Sequence, residues 1–274
     1  MLRAHKKFTW EASLKFAEKV TLVILGVYFL RFPIAYIGVP YLLSAVAVMG
    51  TYYFFLSRLG VGFRWQHDFQ KLKQVLQKAL PYFLANLFSF IYLKINIFYL
   101  SEMRGDYETG IFGVAQGLAA MFTFVPFFIM SAFYPDLAKK DQFARYAGLS
   151  ALFIFGAAFL EVVILYFSAP FVFHLLYPQE YKPAIPIFQL LALTQGIVSF
   201  AMMFMFWLQA LDRQRVYMMV SGVTLILSLG LSFFLVQTHG YQGAALGVLI
   251  TELFGALSLG GYFWKHYRLF RKPK

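Results

Sequence analysis

The sequence predicts an all-α integral membrane protein of about eight transmembrane helices, on three observations. Apolar residues make up 61% of the chain and charged residues only 13%, against roughly 45 to 50% and 25% in a soluble domain. The apolar residues gather into stretches close to the ~20 that a helix needs to cross a hydrocarbon core about 30 Å thick. The 24 Lys and Arg are dealt out between those stretches rather than into one patch. The net charge of +12 therefore reads as a topology signal, and no nucleic-acid partner is expected. A chain without cysteine has no disulfide, thiolate-metal or thiol chemistry, and its 34 Phe and 18 Tyr exclude intrinsic disorder.

The N-terminal arm, residues 1–17, is polar, basic and aromatic, with no short apolar core before a small-residue cleavage site, so no signal peptide is read. The spans follow near 18–33, 37–57, 80–101, 110–134, 147–168, 183–208, 216–236 and 243–264. Between the second and third, Phe69, Leu72 and Leu76 lie opposite Lys71, Lys73, Gln74 and Gln77. That is the pattern of an amphipathic helix on a membrane surface, feeding the third span at Pro81. Pro126 is expected to kink the fourth. Arg31, Arg104 and Lys182 fall on one side of the membrane and Lys94 within a span, while the other twenty basic residues fall on the opposite side. The positive-inside rule makes this a multi-pass protein of the cell (inner or plasma) membrane with both termini cytoplasmic.

Ionisable groups inside spans carry the most information, because each costs about 2.5 to 3.5 kcal/mol at mid-helix on insertion scales. Three stand out: Lys94, Glu161 and Glu252. Lys94 either faces a cavity or snorkels toward the interface. Glu161 either pairs with Lys94, titrates as a coupling carboxylate, or is simply structural. Glu252, beside Thr251, is a coupling carboxylate or a helix-to-helix hydrogen bonder. The amides Asn86, Asn96, Gln116, Gln195 and Gln209 serve as helix glue or as a polar lining. The five His are scattered without metal-ligand spacing, and no phosphate loop or nucleophile elbow is present. No enzyme activity, no metal and no cofactor is expected.

Several segments then carry a resemblance. They are Lys78-Ala79-Leu80-Pro81 with Asn86, Tyr92-Leu93-Lys94-Ile95-Asn96, and Thr109-Gly110-Ile111-Phe112-Gly113-Val114-Ala115. Beyond these come Tyr134-Pro135-Asp136-Leu137, Tyr177-Pro178-Gln179-Glu180-Tyr181-Lys182-Pro183-Ala184, Leu208-Gln209-Ala210-Leu211-Asp212-Arg213-Gln214 and Gly240-Tyr241-Gln242-Gly243-Ala244-Ala245. In this order and spacing the chain resembles an N-terminally shortened member of the polysaccharide (lipid-linked oligosaccharide, O-antigen type) flippase family. That family lies within the multidrug/oligosaccharidyl-lipid/polysaccharide exporter superfamily.

The resemblance implies two six-helix lobes around a central cavity, passing a polyprenyl-diphosphate-linked oligosaccharide from the cytoplasmic to the outer leaflet by alternating access. In those terms residues 1–57 are an arm and two helices of an incomplete first lobe, and 58–79 a basic cytoplasmic linker. Residues 80–264 are the six-helix second lobe and 265–274 a basic tail, with about four spans expected before Met1. Asn96 stands where many relatives carry an aspartate. Lys94, Asn86, Asn96 and Gln116 come from spans that border the central cavity in the resemblance and are the expected substrate-binding residues. Glu161 and Glu252 are coupling or structural carboxylates. The expected partners are the lipid-linked oligosaccharide, membrane lipids, and the missing first-lobe helices or glycan-assembly proteins. Two alternatives stay open, a cation-coupled multidrug-type efflux antiporter and a non-transporting subunit of a glycan-assembly complex.

Overall fold

The computed structural model describes residues 39–58, 69–139 and 141–271. The basic arm and the span expected near 18–33 lie outside the described residues, as do residues 59–68 of the linker and 272–274 of the tail. The chain divides into two units, residues 1–68 and 69–274, each considered by itself. In the first, α1 (Val39–Arg58) coincides with the span expected over 37–57. Leu42, Val46 and Met49 lie exposed along it at i, i+4 and i+7, which gives one helical face an unbroken apolar surface.

The second unit is built of α2 (Phe69–Arg104), α3 (Asp106–Met121), α4 (Phe124–Leu137), α5 (Phe143–Leu176), α6 (Ala184–Ala210) and α7 (Gln214–Arg271). A single 3-10 turn, Gln179–Tyr181, joins α5 to α6. α2 unites two expected elements: the amphipathic stretch and the third span form one helix of 36 residues running through Pro81. α3 and α4 make up the fourth expected span. The break between them falls at Phe122 and Thr123, whose amides turn to Ala119 O and Ala120 O. Pro126 is the cause, because it offers no N–H and its ring crowds the carbonyl four residues back, that of Phe122.

α7 has 58 residues and would be about 87 Å long if straight, nearly three hydrocarbon thicknesses. It is instead a hairpin. Gly240 alone leaves helical geometry, at φ 56° and ψ −135°, and the residues on either side of it return antiparallel. A Cβ built on Gly243 would overlap the Leu235 carbonyl. One on Gly247 would lie 3.3 Å from Ser232 Oγ, and one on Gly255 3.7 Å from Thr224 Oγ1. These pairs share one register centred on Gly240, which fixes two arms, residues 214–239 and 241–271. The sequence expects a turn of six residues here, Gln237 to Gln242; the structure makes it with one glycine.

Five helical stretches of this unit are long and apolar enough to cross a membrane, and the hairpin makes the last of them two passes. The protein is an all-α, multi-pass membrane protein. The turns at Gly105, at 177–183 and at Gly240 gather at one end, called here the tip end. Those at 138–142 and 211–213 gather at the other. Two apolar clusters pack the ends. Leu100, Phe112, Phe173, Phe188 and Val236 lie toward the tip end, and Met130, Phe143, Ile154, Trp207 and Phe263 toward the opposite one.

Charged side chains pin the tip. Arg104 Nε donates to Val236 O at 3.1 Å, and the same guanidinium reaches Gln237 O, so a cation closes the carbonyl end of the first arm. Glu108 accepts from the Tyr241 amide at 3.0 Å and caps the amide end of the second. Both residues flank Gly105 (φ 83°), so the short turn between α2 and α3 clamps the longer hairpin.

Candidate functional site

Between the two apolar clusters the second unit encloses a partly open cavity of about 230 Å³. α2 lends it Ser89, Tyr92 and Leu93; α3 lends Gln116 and the break after it Thr123; α6 lends Gln195 and Met202. The first arm of α7 adds Tyr217, Ser221 and Thr224, and the second adds Glu252 and Gly255. Glu252 is the one carboxylate in the lining.

The local sequence explains why these side chains meet. Ser89 and Tyr92 are three residues apart on α2, so they share a face. Tyr217, Ser221 and Thr224 repeat that spacing on α7. The glycine at 255 lets the two arms approach closely enough for Thr224 to lie beside it. The Tyr92 hydroxyl donates to Glu252 Oε1 at 3.0 Å across the α2–α7 interface. The hydroxyls of Ser89 and Tyr217 lie 3.4 Å apart. Gln195 Nε2 donates to Thr123 Oγ1 at 2.9 Å, holding α6 to the break between α3 and α4. Gln116 Nε2 donates to Leu93 O at 3.0 Å. The lining is mostly apolar, from side chains such as Leu93, Leu191, Val198, Met202 and Val248, with hydroxyls and amides set around one carboxylate, which suits a small amphiphilic guest. At ~300 Å³ or more for a drug-sized ligand, it is too small for a lipid-linked oligosaccharide.

The structure distributes the sequence-expected residues over four environments. Gln116 and Glu252 line the cavity. Asn96 lies one turn beyond Tyr92, 1% exposed, with neither its amide nitrogen nor its oxygen bonded to protein. Lys94 and Asn86 lie on the exposed side of α2, away from the cavity. Asn86 Nδ2 is bonded to its own helix, at Tyr82 O 2.7 Å away. Lys94 has no ion-pair partner among the described residues.

The pairing of Lys94 with Glu161 does not form. Glu161 is buried in the α5–α6 interface facing Ser199. Among the described residues its two oxygens have no hydrogen-bond partner; the Ser199 hydroxyl donates instead to Gln195 O at 3.0 Å. Sequence reasoning did not single out Tyr92, Tyr217 and Ser89 as site residues. Their signal was the helical spacing of hydroxyl side chains within otherwise apolar spans.

Comparison with known proteins then places the chain. The family model described as "Polysaccharide biosynthesis protein" matches residues 1–140, half of the sequence. The chain belongs to that family. The matched residues take in the first unit together with α2, α3 and α4, and so Lys94, Asn86, Asn96, Gln116 and the Tyr92 side of the cavity. No curated protein and no solved structure matches the chain. Family membership and the apolar helices together make it a membrane protein of polysaccharide biosynthesis.

Proposed function

We propose that this protein passes a polyprenyl-diphosphate-linked oligosaccharide from the cytoplasmic to the outer leaflet of the cell membrane by alternating access. The observation that carries the reading is Lys94. It lies ten residues before the tip end of an apolar stretch of 30 residues, Val75–Arg104, on the exposed side of α2, with no acid paired to it among the described residues. A cation held at that depth is costly unless an anion joins it, and in a polysaccharide biosynthesis protein the fitting anion is the diphosphate of a glycolipid.

The chemistry required is modest. The barrier to flipping is desolvation of the diphosphate and sugars in hydrocarbon. Outward movement of an anion across an inside-negative membrane gains about 2.3 kcal/mol per charge per 100 mV. Lys94 supplies a charge-assisted contact on the exposed side of α2, where Asn86 adds an amide about two turns away, while Gln116 in the cavity and the buried Asn96 offer polar groups on the other side of the helix. In this reading the ends carrying Lys139, Arg145, Arg213 and Arg215 face the cytoplasm, which puts both termini there.

The test is outer-leaflet appearance of a polyprenyl-diphosphate sugar in proteoliposomes. Lys94→Ala should slow it about ten- to a hundredfold, the loss of one charged contact worth about 1.5 to 3 kcal/mol, with membrane insertion intact. Lys94→Arg should retain most of the rate. Unchanged flipping by Lys94→Ala would sink the reading.

One observation favours a second reading, cation-coupled efflux of amphiphiles: Glu252 is a carboxylate set inside a cavity of suitable size for an ion. Dye extrusion driven by an imposed cation gradient, without glycolipid flipping, would select it.

A further inference from the structure

The polar side chains of the cavity continue beyond its wall. Along the first arm of α7, Tyr217, Ser221, Thr224, Ser228 and Ser232 follow one another at steps of three or four residues, one face of the helix. Of these, Ser221, Thr224, Ser228 and Ser232 are at most 5% exposed. α2 faces them with Ser89, Tyr92 and Asn96 at the same spacing, and the second arm brings Thr251 and Glu252. In the hairpin register set by Gly247 beside Ser232 and Gly255 beside Thr224, Thr251 comes level with Ser228. Asn96 Oδ1 closes the far end, 3.7 Å from the position a Cβ on Gly247 would take. The seam is about 22 Å long from Tyr217 to Ser232.

Four of these ten side chains, Asn96, Thr224, Ser232 and Thr251, lack protein partners among the described residues. Among the described residues eight buried side-chain atoms have none, and five lie here: both polar atoms of Asn96 and the hydroxyls of Thr224, Ser232 and Thr251. Elsewhere in the same unit buried helical hydroxyls turn back onto their own helix, as Ser150 does to Ala147 O, Thr194 to Leu190 O and Ser199 to Gln195 O. The hydroxyls of Thr224, Ser232 and Thr251 are not spent in that way. Asn96 presents a donor and an acceptor together, which suits water better than a bare cation. Buried polar groups without protein partners are met by water where the site is polar and roomy enough.

We propose that this seam holds a file of water molecules running from the cavity past Glu252 to Asn96, a blind extension of the cavity that hydrates Glu252 from its buried side. Beyond Asn96 and Ser232 the path is shut by Leu100, Val236, Ala244 and Ala245, each buried and apolar. The titratable groups facing the file are Glu252, Tyr92 and Tyr217; α3 and α6 contribute only the amides Gln116 and Gln195 to the adjoining wall. Arg104 and Glu108 lie past the plug. The inference stands on the seam's own geometry, independently of what the protein transports.

The sequence has no cysteine, so single thiols report water access without background. Thr224→Cys and Ser232→Cys, in the full chain in lipid nanodiscs, should react with silver ion, a probe about the size of water. Val236→Cys, inside the plug, and Ala169→Cys, in the apolar cluster, should react at least about a hundredfold more slowly. Adding Thr224→Val to Ser232→Cys should slow silver at position 232, because the hydroxyl that water would bridge is gone. Equal protection of Ser232→Cys and Ala169→Cys, or no slowing by Thr224→Val, would overturn the file. Should the cysteine variants fail to fold, radiolytic hydroxyl labelling of the unsubstituted chain decides. Tyr92 and Leu235, normalised to the unfolded chain, should be oxidised well above Phe188 and Trp207, and equal oxidation would overturn the proposal.

Discussion

Glu252 and Glu161 are buried to nearly the same degree, 6% and 5% exposed, in two interfaces of the same helical unit. Their surroundings are opposite. Glu252 accepts from the Tyr92 hydroxyl and borders a partly open cavity that also holds hydroxyl and amide side chains. Glu161 lies between α5 and α6 with no hydrogen bond to either oxygen. The helices there pack so closely that a Cβ on Gly196 would come 2.8 Å from a methyl of Val162. Burial alone therefore does not mark a working carboxylate. What separates the two is a partner that orients the group and a space through which a guest or a proton can reach it. The α2–α7 region has both, while the α5–α6 region is scaffold.

The largest effect should come from breaking the hairpin that supports the first region. At Gly240 any side chain would adopt a positive φ and overlap the Glu108 carboxylate. The backbone strain alone costs about 1 to 3 kcal/mol, and the steric overlap adds to it. Gly240→Val should lower the melting temperature of the detergent-solubilised protein more than any single substitution at Glu161, and release the Glu108 contact to Tyr241.

Substituting the carboxylates should then move stability in opposite directions. Glu252→Leu leaves the Tyr92 hydroxyl buried without its acceptor, a loss of about 1 to 3 kcal/mol, whereas Glu161→Leu removes two unpartnered buried oxygens and should be neutral or stabilising. Thermal unfolding of the two variants side by side checks this, and a shift of the same sign in both would break the comparison. A smaller change is expected at Trp207, whose indole N–H donates to Ser150 Oγ at 3.1 Å in the apolar cluster. Trp207→Phe should cost about 0.5 to 1.5 kcal/mol from the lost hydrogen bond, since the Ser150 hydroxyl keeps its own bond to Ala147 O.

The smallest effect belongs to an ion pair in water. Lys139 sits 2.6 Å from Asp136, and that hydrogen bond together with the aspartate charge raises the lysine pKa. A raised lysine pKa adds stability that is complete below the unfolded value and fades only as pH climbs through the folded one. At neutral pH the pair is therefore fully formed. Lys139→Gln should still leave the melting temperature almost unchanged, because exposed pairs are screened.

Much of this architecture was legible in the sequence. Apolar length and the placement of Lys and Arg were enough for the spans that coincide with α1, α5, α6 and the two arms of α7. The long run of α2 from Phe69 was not, because Pro81 and a change from amphipathic to apolar pattern look like a boundary when helix continuity is unknown. The break at Phe122 followed from Pro126, displaced by the distance over which a proline ring acts. The site was legible only in part. Glu252 and Gln116 stood out as polar residues within apolar spans, but their partners Tyr92 and Tyr217 are phenols, common in membrane helices. Only the three-dimensional register of α2 against the hairpin brings them to Glu252. Lys94 and Glu161 looked like partners because their charges are opposite, and one-dimensional sequence carries no information on which helix faces meet.

The most direct measurement is glycolipid flipping in proteoliposomes by Glu252→Gln and Glu161→Gln, compared with the unsubstituted chain at equal membrane insertion. The account predicts that Glu252→Gln loses about tenfold or more, equivalent to about 1.4 kcal/mol, while Glu161→Gln stays within about twofold, as expected for a packing residue. Equal losses at the two positions, or a larger loss at Glu161, would contradict it.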